Sequence, residues 1–198
     1  KISFQFNRHG IVILPRMYKL LRSLLFNLDA EKAHHLSMKA LKLACSMKLA
    51  RKIIHAAFAA RNISVQVLGL HFKNPVGLAA GFDKNARYLR ELEALGFGHV
   101  EIGTVTPKSQ DGNEKPRLFR LPADKALINR MGFNNEGVEV VADRLKKWRS
   151  SQPSTINHPF STLIIGGNIG KNKSTPNEDA WKDYLICFNQ LHPYVDYF

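Results

Sequence analysis

Residues 76–85, VGLAAGFDKN, place a short apolar run directly before a glycine turn and a charged segment. A run bounded in this way is typical of a buried strand in a parallel sheet. The pattern recurs in HVEIGTVTP at 99–107 and in STLIIGGNIGKNK at 161–173. Helical periodicity follows each strand, so the order from Val76 is β-α-β-α-β-α-β. This order predicts parallel strands with crossover helices, either in an open doubly wound sheet or in half of an eight-stranded barrel.

The segments between the predicted strands have apolar residues at helical spacing. We expect helices from about Asn85 to Leu95, from a cap at Asn134 or Asn135 to Trp148, and from about Asn177 to Leu191, with a further strand beginning at 194–198. Gly96 is expected to end the first of these helices, because glycine adopts the left-handed conformation that closes many helices.

Two other stretches surround the predicted sheet. SVQVLGLHFKN at 64–74 alternates apolar residues on either side of Gly69, which predicts a small hairpin. A second stretch is predicted as one long loop because turn-forming residues interrupt it at Pro107, Gly112, Pro116 and Pro122. Loops of this length are uncommon unless they have a function, so we expect this loop to take part in the site.

Small and polar residues occur together at the carboxyl end of each predicted strand, in AAGFDKN, EIGTVTP and GGNIGKNK. Small residues let a flat ligand approach the backbone, and both barrels and open sheets build their active sites at this edge. Gly81 alone could be a turn residue, and Lys84 or Lys171 alone could be a solvated lysine. Three consecutive strand ends of the same type indicate a binding site.

Composition and motifs exclude several classes of protein. The 198 residues are 44% hydrophobic and 23% charged, which is enough for one packed core. Cys45 and Cys187 form no CxxC pair, so neither a disulfide framework nor a cysteine zinc site is predicted. His34 and His35 would point about 100° apart on a helix, and we expect no metal site. The phosphate-loop, dinucleotide, serine-hydrolase and zinc-protease motifs are absent from the sequence.

The net charge of +13 is concentrated near the N-terminus, where residues 1–62 hold 12 of the 29 Lys and Arg but only two of the 16 Asp and Glu. Residues 1–16 are interpreted as a leader of unclear origin, and Met17 as the native start. Basic amphipathic helices are predicted to follow over 17–28, over 30–44 behind an Asp29 cap, and over 48–60.

The apolar stripe of the second predicted helix has two interpretations. Leu36, Ala40, Leu43 and Met47 recur at helical spacing, and the lysines lie elsewhere. The stripe could pack on the main core, with the lysines simply solvated. Alternatively, the basic helices could lie on anionic lipid, because apolar burial and charge attraction act together there and each helix is too short to span a bilayer.

Four motifs resemble, in order and spacing, those of the membrane-associated class 2 dihydroorotate dehydrogenases: GLAAGFDKN, GFGHVEIGTVTPKSQDGNEKPRLFRLP, INRMGFNNEGV and NIGKNKSTP. The resemblance extends from about Met17 to Phe198. It implies an α/β fold: a (β/α)8 TIM barrel, of which this chain supplies the first half, preceded by a small N-terminal helical domain. The implied boundaries are 17–62 for a membrane and quinone domain and 63–198 for an FMN-binding half-barrel.

The resemblance implies oxidation of (S)-dihydroorotate to orotate in pyrimidine (UMP) biosynthesis, with hydride transfer to FMN and then electron transfer to ubiquinone or menaquinone. It also implies peripheral association of residues 17–62 with the inner membrane, on the cytoplasmic side of a bacterial cell. The sequence pI of about 9.9 is compatible with a nucleic-acid binder. No nucleic-acid partner is expected, however, because no recognised nucleic-acid-binding motif is present.

Site residues transfer to this sequence motif by motif. The implied flavin contacts are Ala79, Ala80, Gly81, Phe82, Asp83, Thr104, Asn129 and Asn168. The implied substrate-binding residues are Lys84, Asn129, Arg130, Met131, Gly132 and Phe133. The implied quinone-tunnel residues are His34 and Arg120. The chemistry agrees, because Lys84 supplies a cation for an anionic substrate and Asn129 offers a donor and an acceptor to the amide edge of a pyrimidine.

The sequence departs from the family pattern at its C-terminal end. The resemblance implies a general-base serine just after Phe198, so no catalytic residue is assigned among these residues. Eight βα units need about 250 residues, and we therefore expect a truncated chain whose activity belongs to an intact parent. Two alternatives stay open: an inactive truncated membrane-surface module, and another FMN-barrel oxidoreductase acting on a related pyrimidine.

Overall fold

The computed structural model describes residues 14–58, 63–152 and 163–198. Most of the predicted leader, the last two residues of the third predicted helix and the first two residues of STLIIGG lie outside the described residues. Three helices open the described chain: α1 (Leu14–Phe26), α2 (Ala30–Ser46) and α3 (Lys48–Phe58). In the described ranges, no helix combines the length and apolar character needed to cross a bilayer.

The Asp29 cap of α2 is confirmed. Its carboxylate accepts hydrogen bonds from the backbone N–H groups of Glu31 and Lys32, which are among the donors that a helix start leaves unpaired. The helix then packs against α3 and against a later helix, α4 (Leu89–Ala94).

The apolar stripe of α2 does not pack on the core. The buried side of the helix carries the small residues Ala33 and Cys45 together with Met38. Leu36 and Leu43 are 51% and 72% exposed, and Met47 and Ala40 are also exposed. The interpretation in which the stripe covers the core is therefore wrong, because small side chains allow close helix packing and α2 turns that side inward.

Parallel strands with crossover helices are confirmed. Strands β3 (Gly77–Leu78), β4 (His99–Val105) and β7 (Ile164–Ile169) form a parallel sheet in the order β3-β4-β7. Helix α4 connects β3 to β4, α5 (Val138–Ser151) precedes β7, and α6 (Ala180–Leu191) follows β7 after a short 3-10 turn. Tyr197 pairs with Gly166 in the parallel direction, as the predicted strand start requires.

The core lies between this sheet and its helices. It is formed by aliphatic side chains with little or no exposure, chief among them Leu89, Leu92, Val100, Ile102, Val105, Val138, Val141, Leu145, Ile165 and Leu191. The predicted hairpin at 64–74 lies beside this core as β1 (Val65–Val67) and β2 (Leu70–Phe72), which pair antiparallel across Gly69.

The first parallel strand is shorter and less buried than VGLAAG predicted. Only Gly77 and Leu78 pair with β4, and Val76 is 59% exposed. Within the described residues β3 pairs on one edge alone, so its side chains lack the cover that a central strand receives.

Two crossover helices begin later than predicted. Helix α4 begins at Leu89 rather than near Asn85, because the Asp83 carboxylate binds the N–H groups of Arg87 and Tyr88 and Ala86 has a positive φ of 52°. Helix α5 begins at Val138, and neither Asn134 nor Asn135 is its N-cap. The side chains of both asparagines bind loop partners instead, as described below.

The predicted long loop contains a second hairpin, formed by β5 (Leu118–Leu121) and β6 (Ala126–Asn129). Every residue of β6 is exposed, so the two-residue alternation of apolar and polar residues that marks a half-buried strand is missing. The hairpin packs against α2, and this contact between distant segments has no signal in the local sequence.

Candidate active site

The ends of the three parallel strands lie side by side. The backbone N–H of Gly81, after β3, donates to the carbonyl of Gly103 in β4 at 2.8 Å. The hydroxyl of Thr104 donates to the side-chain oxygen of Asn168 in β7 at 2.5 Å. The predicted flavin contacts of all three strands therefore share one edge of the sheet, with Ala79 and Ala80 directly before Gly81.

Two glycines keep this edge free of side-chain bulk. Gly103 has φ +108°, and a Cβ at this position would collide with the backbone carbonyl of Asn168. Gly81 has φ +102° and faces open space, since a Cβ would meet nothing within 4 Å. The positive φ favours glycine at both positions. At position 103 the close approach of β7 also leaves no room for a side chain.

A cleft of about 500 Å³ opens next to this edge. It lies between α2 on one side and the segments after β3, β4 and β6 on the other. Of the predicted site residues, its lining includes His34, Gly81, Phe82, Asp83, Lys84, Asn129 and Met131. Among the described residues, no group of three His, Cys, Asp or Glu side chains is arranged to bind a metal.

The ammonium group of Lys84 is held in the cleft by neutral acceptors. Its Nζ donates to the carbonyl of Gly132 at 2.9 Å and to the side-chain oxygen of Asn134 at 2.6 Å. Burial, and secondarily the nearby Arg117, lowers the pKa of Lys84. An ammonium has three N–H bonds, so Lys84 keeps a donor and a positive charge for a ligand.

Asn129 lies at the end of β6, and its side-chain oxygen accepts a hydrogen bond from the backbone N–H of Met131 at 3.0 Å. The turn that this bond forms leads to Gly132, the acceptor for Lys84. Arg130 and Phe133 are not part of the described cleft lining. The guanidinium of Arg130 lies 5.9 Å from the Phe119 ring, on the hairpin.

Phe82 connects the strand ends to the helical part of the chain. Its ring meets the imidazole of His34 edge to face, with centroids 5.0 Å apart. Burial, and then the neighbouring His35, lowers the pKa of His34. His34 therefore favours its neutral form and faces the apolar ring of Phe82 on the side of the cleft that α2 forms.

The side chains of Asp83 and Arg120 bind backbone groups of nearby segments. Both carboxylate oxygens of Asp83 accept backbone N–H groups at 2.8 Å, and burial outweighs these bonds to raise its pKa. Arg120 donates to the carbonyl of Leu28 at 2.6 Å and lies over the Phe26 ring at 4.6 Å. A cation is favourable at this point because the carbonyl end of a helix carries partial negative charge.

A buried polar network behind the cleft was missed by sequence reasoning. The side chain of Asn135 donates to the Thr106 hydroxyl at 2.8 Å, and Asn172 binds the same hydroxyl and the Gln110 side chain, both at 3.1 Å. These bonds tie the segments after β4, β6 and β7 together. The repeated asparagines in GFNNEG and GKNKS were the available signal, because asparagine supplies both donors and acceptors.

An ion pair between Glu31 of α2 and Arg117 was also missed. The guanidinium binds both carboxylate oxygens, at 2.7 and 3.1 Å, and each side chain is less than a tenth exposed. Arg117 also donates to the carbonyls of Asp111 and Asn113, at 2.6 and 3.0 Å. The pair therefore joins the helical part of the chain to the loop that borders the cleft.

This arrangement suits a flat heteroaromatic cofactor and a small anion. The residues present fit FMN, since the strand ends around Gly81 and Gly103 are free of bulk, and Thr104 and Asn168 offer polar groups at the same edge. Lys84 and Asn129, which line the neighbouring cleft, offer a cation and an amide to a substrate. Such a site can hold an oxidisable anion against a planar electron acceptor.

Comparisons with known proteins agree with this chemistry. A family model described as dihydroorotate dehydrogenase matches residues 62–198. A dihydroorotate dehydrogenase (quinone) of Christiangramia forsetii is 50% identical over 185 residues, covering 92% of this chain and 51% of that protein. One from Roseiflexus sp. is 50% identical over 186 residues, covering 93% and 49%. The chain thus spans about half the length of the curated relatives it matches.

Solved structures give the same result. The crystal structure of DHODH from Eimeria tenella in complex with ferulenol superimposes with a TM-score of 0.69 at 38% identity, covering 88% of this chain and 45% of that one. The ligand-free structure from the same organism has a TM-score of 0.62 at 41% identity, covering 75% and 44%.

Proposed function

Since this chain belongs to the dihydroorotate dehydrogenase family, whose fold is a TIM barrel, we propose that the protein oxidises (S)-dihydroorotate to orotate in pyrimidine biosynthesis. FMN is the proposed electron carrier, and a membrane quinone, ubiquinone or menaquinone, is the proposed acceptor. The observation that carries the proposal is the placement of Lys84 and Asn129 in one cleft beside the free strand ends at Gly81 and Gly103.

The proposed division of the chain separates a part built on the parallel sheet from a part built of helices alone. Residues 63–198 are proposed to be the first half of the FMN-binding barrel, since β3, β4 and β7 are parallel and helices connect them. Residues 17–62 are proposed to be the quinone and membrane domain. The exposed Leu36, Leu43 and Met47 support this role, because a lipid surface would cover them.

In the proposed flavin site, Ala79, Ala80, Gly81, Thr104 and Asn168 would hold FMN, together with Asn129. When bound, FMN supplies a two-electron acceptor that can return its electrons to a quinone. The contribution of the strand ends is positional, because small residues allow a flat ring to lie against the backbone. Phe82 and Asp83 shape the turn below this edge.

In the proposed substrate site, Lys84 neutralises the negative charge of dihydroorotate, and Asn129 and the turn at 131–133 orient its ring. Arg130, directly before this turn, and Phe133, within it, are proposed to contribute through their backbone groups. The general base is proposed to be a serine following Phe198, as the resemblance implies.

In the proposed quinone site, His34 borders the cleft next to Phe82, where its ring would face a bound quinone. Arg120 supports the same region by holding the end of α1 through the Leu28 carbonyl. Peripheral association with the inner membrane, on the cytoplasmic side of a bacterial cell, is proposed for this part of the protein.

The function is tested by direct assay of the purified flavin-loaded protein, in a form that includes the proposed general-base serine. Orotate formation is followed by its absorbance with dihydroorotate as substrate and a soluble quinone as acceptor. The proposal requires turnover that depends on both compounds. It fails if dihydroorotate does not reduce the bound flavin under anaerobic conditions, or if a related pyrimidine is oxidised in its place.

Replacing Asn129 with alanine is expected to reduce turnover on the order of 100-fold, because the substrate loses a positioning group and the turn loses its bond to Met131. Orotate formation at saturating dihydroorotate measures the effect. Asn189→Ala, at an exposed position of α6 away from the cleft lining, is the matched control. Turnover near that of the unmodified protein would remove Asn129 from the proposed site.

Replacing Leu36 and Leu43 together with serine is expected to weaken binding to lipid vesicles on the order of tenfold, because the two side chains lose their apolar transfer energy. Co-sedimentation with vesicles measures the partition. Val140→Ser, on the exposed side of α5, makes the same kind of change outside the proposed membrane domain. Equal vesicle binding by all three proteins would contradict the role proposed for residues 17–62.

A further inference from the structure

A second cleft, of about 840 Å³, lies between α3, α4 and the C-terminal end of α5. It is distinct from the proposed active site, since the described linings of the two clefts share no residue. Six basic side chains line it, contributed by α3, by the segment after β2 and by α4: Lys48, Arg51, Lys52, His55, Lys73 and Arg90. Among its described lining residues, Glu93 is the one carboxylate.

The basic side chains of this cleft form no ion pairs in the described part of the chain. None of the ion pairs found there involves the six basic residues, whereas in the first cleft Arg117 pairs with Glu31 and Arg87 pairs with Glu136. Burial raises the pKa of Glu93, and the cations around it oppose that rise. Several like charges in one concave surface create a positive potential that attracts and concentrates anions.

One arginine of this cleft is oriented by a neutral hydrogen-bond partner. Arg51 is held by a hydrogen bond from Nη1 to the carbonyl of Cys45 at 3.1 Å, a neutral partner that leaves its charge available. Trp148 also lines the cleft.

We propose that this cationic cleft binds a phosphate group, carried either by a free phosphorylated compound or by the headgroup of an anionic phospholipid. Phosphate matches the site because it has several acceptor oxygens and more than one charge, which arginine and lysine side chains from different elements can share. Either source of phosphate can reach the cleft. Helix α3 also exposes Leu49 and Ile53 beside its basic residues, and these could enter a lipid surface. The proposal is independent of the redox activity.

The test compares two double variants with the unmodified protein. Lys48→Glu with Lys52→Glu reverses two exposed charges of the cleft. Lys125→Glu with Lys146→Glu makes the same change at two exposed positions that line neither cleft and lie outside residues 17–62. Calorimetric titration at low salt measures pyrophosphate binding. Sedimentation with phosphatidylcholine vesicles, with and without phosphatidylglycerol, measures headgroup binding.

We expect the cleft variant to lose on the order of tenfold or more in affinity for pyrophosphate, for phosphatidylglycerol vesicles or for both, and the control variant to lose less than about threefold. A selective loss with pyrophosphate identifies a free phosphate group as a ligand, and one seen only with vesicles identifies the lipid headgroup. Equal losses in the two variants, or no saturable binding of either probe by the unmodified protein, overturn the proposal. Arg90→Gln replaces the cleft variant if thermal unfolding shows that the latter does not fold.

Discussion

Replacing Lys84 with methionine reduces kcat/KM for dihydroorotate on the order of 1,000-fold, the largest kinetic effect that we expect from a single substitution in this site. The methionine keeps much of the length and apolar character of the lysine stem but removes the charge that faces the cleft. It also removes the donors to Gly132 and Asn134, so the turn after Asn129 loses a restraint. Steady-state kinetics of orotate formation measures the loss.

The matched control is Lys146→Met, which makes the same change on an exposed position of α5. Thermal unfolding of both variants separates a lost ligand contact from a lost fold, because neutralising a half-buried lysine removes a desolvation cost and is not expected to lower stability greatly. A kcat/KM within about threefold of the unmodified protein would exclude Lys84 from substrate binding.

The depressed pKa of Lys84 adds a pH dependence with a definite sign. Only the protonated amine attracts an anion, and burial moves its loss of charge to a lower pH than an exposed lysine would show. Orotate affinity should therefore fall as pH rises toward that lowered pKa. Titrations of orotate binding at increasing pH check this dependence, which should be absent from Lys84→Met.

Replacing Glu31 with alanine destabilises the folded protein by about 3–5 kcal/mol, because the buried guanidinium of Arg117 loses the carboxylate that compensates it. Lys115, whose Nζ lies 3.6 Å from Glu31, is itself a cation, so it cannot replace the lost carboxylate. Chemical denaturation followed by circular dichroism measures the change in the free energy of unfolding.

A second variant, Glu31→Ala with Arg117→Met, removes both charges and should recover most of this stability, since no unpaired buried charge remains. Glu114→Ala, an exposed carboxylate of the same loop, is expected to change stability by less than about 0.5 kcal/mol. If Glu31→Ala and Glu114→Ala have the same effect, the ion pair does not hold the helical part to the loop.

The contribution of Glu31 to stability also depends on pH. The hydrogen bonds from Arg117 lower the pKa of Glu31 below its ordinary value. A carboxylate with a depressed folded pKa stabilises the protein fully above its unfolded pKa, and this contribution disappears as the pH falls through the folded value. The difference in stability between the unmodified protein and Glu31→Ala should therefore shrink under acid conditions.

Sequence alone determined the order of strands and helices, the excess of basic residues near the N-terminus and the strand ends at which the site is proposed. The order of elements and the strand ends follow from local periodicity and from glycine positions such as Gly81 and Gly96, because these signals involve only neighbouring residues. The second hairpin was missed, because every residue of β6 is exposed and β6 has no two-residue pattern.

Only the tertiary structure decided which side of α2 is buried, which acceptors hold Lys84 and which carboxylate compensates Arg117. Leu36 and Leu43 form the more apolar stripe, yet α2 buries the side with the smaller Ala33 and Cys45. Glu31 and Arg117 are 86 residues apart in sequence. Such pairings depend on how whole elements pack, and packing brings together side chains that no local pattern relates.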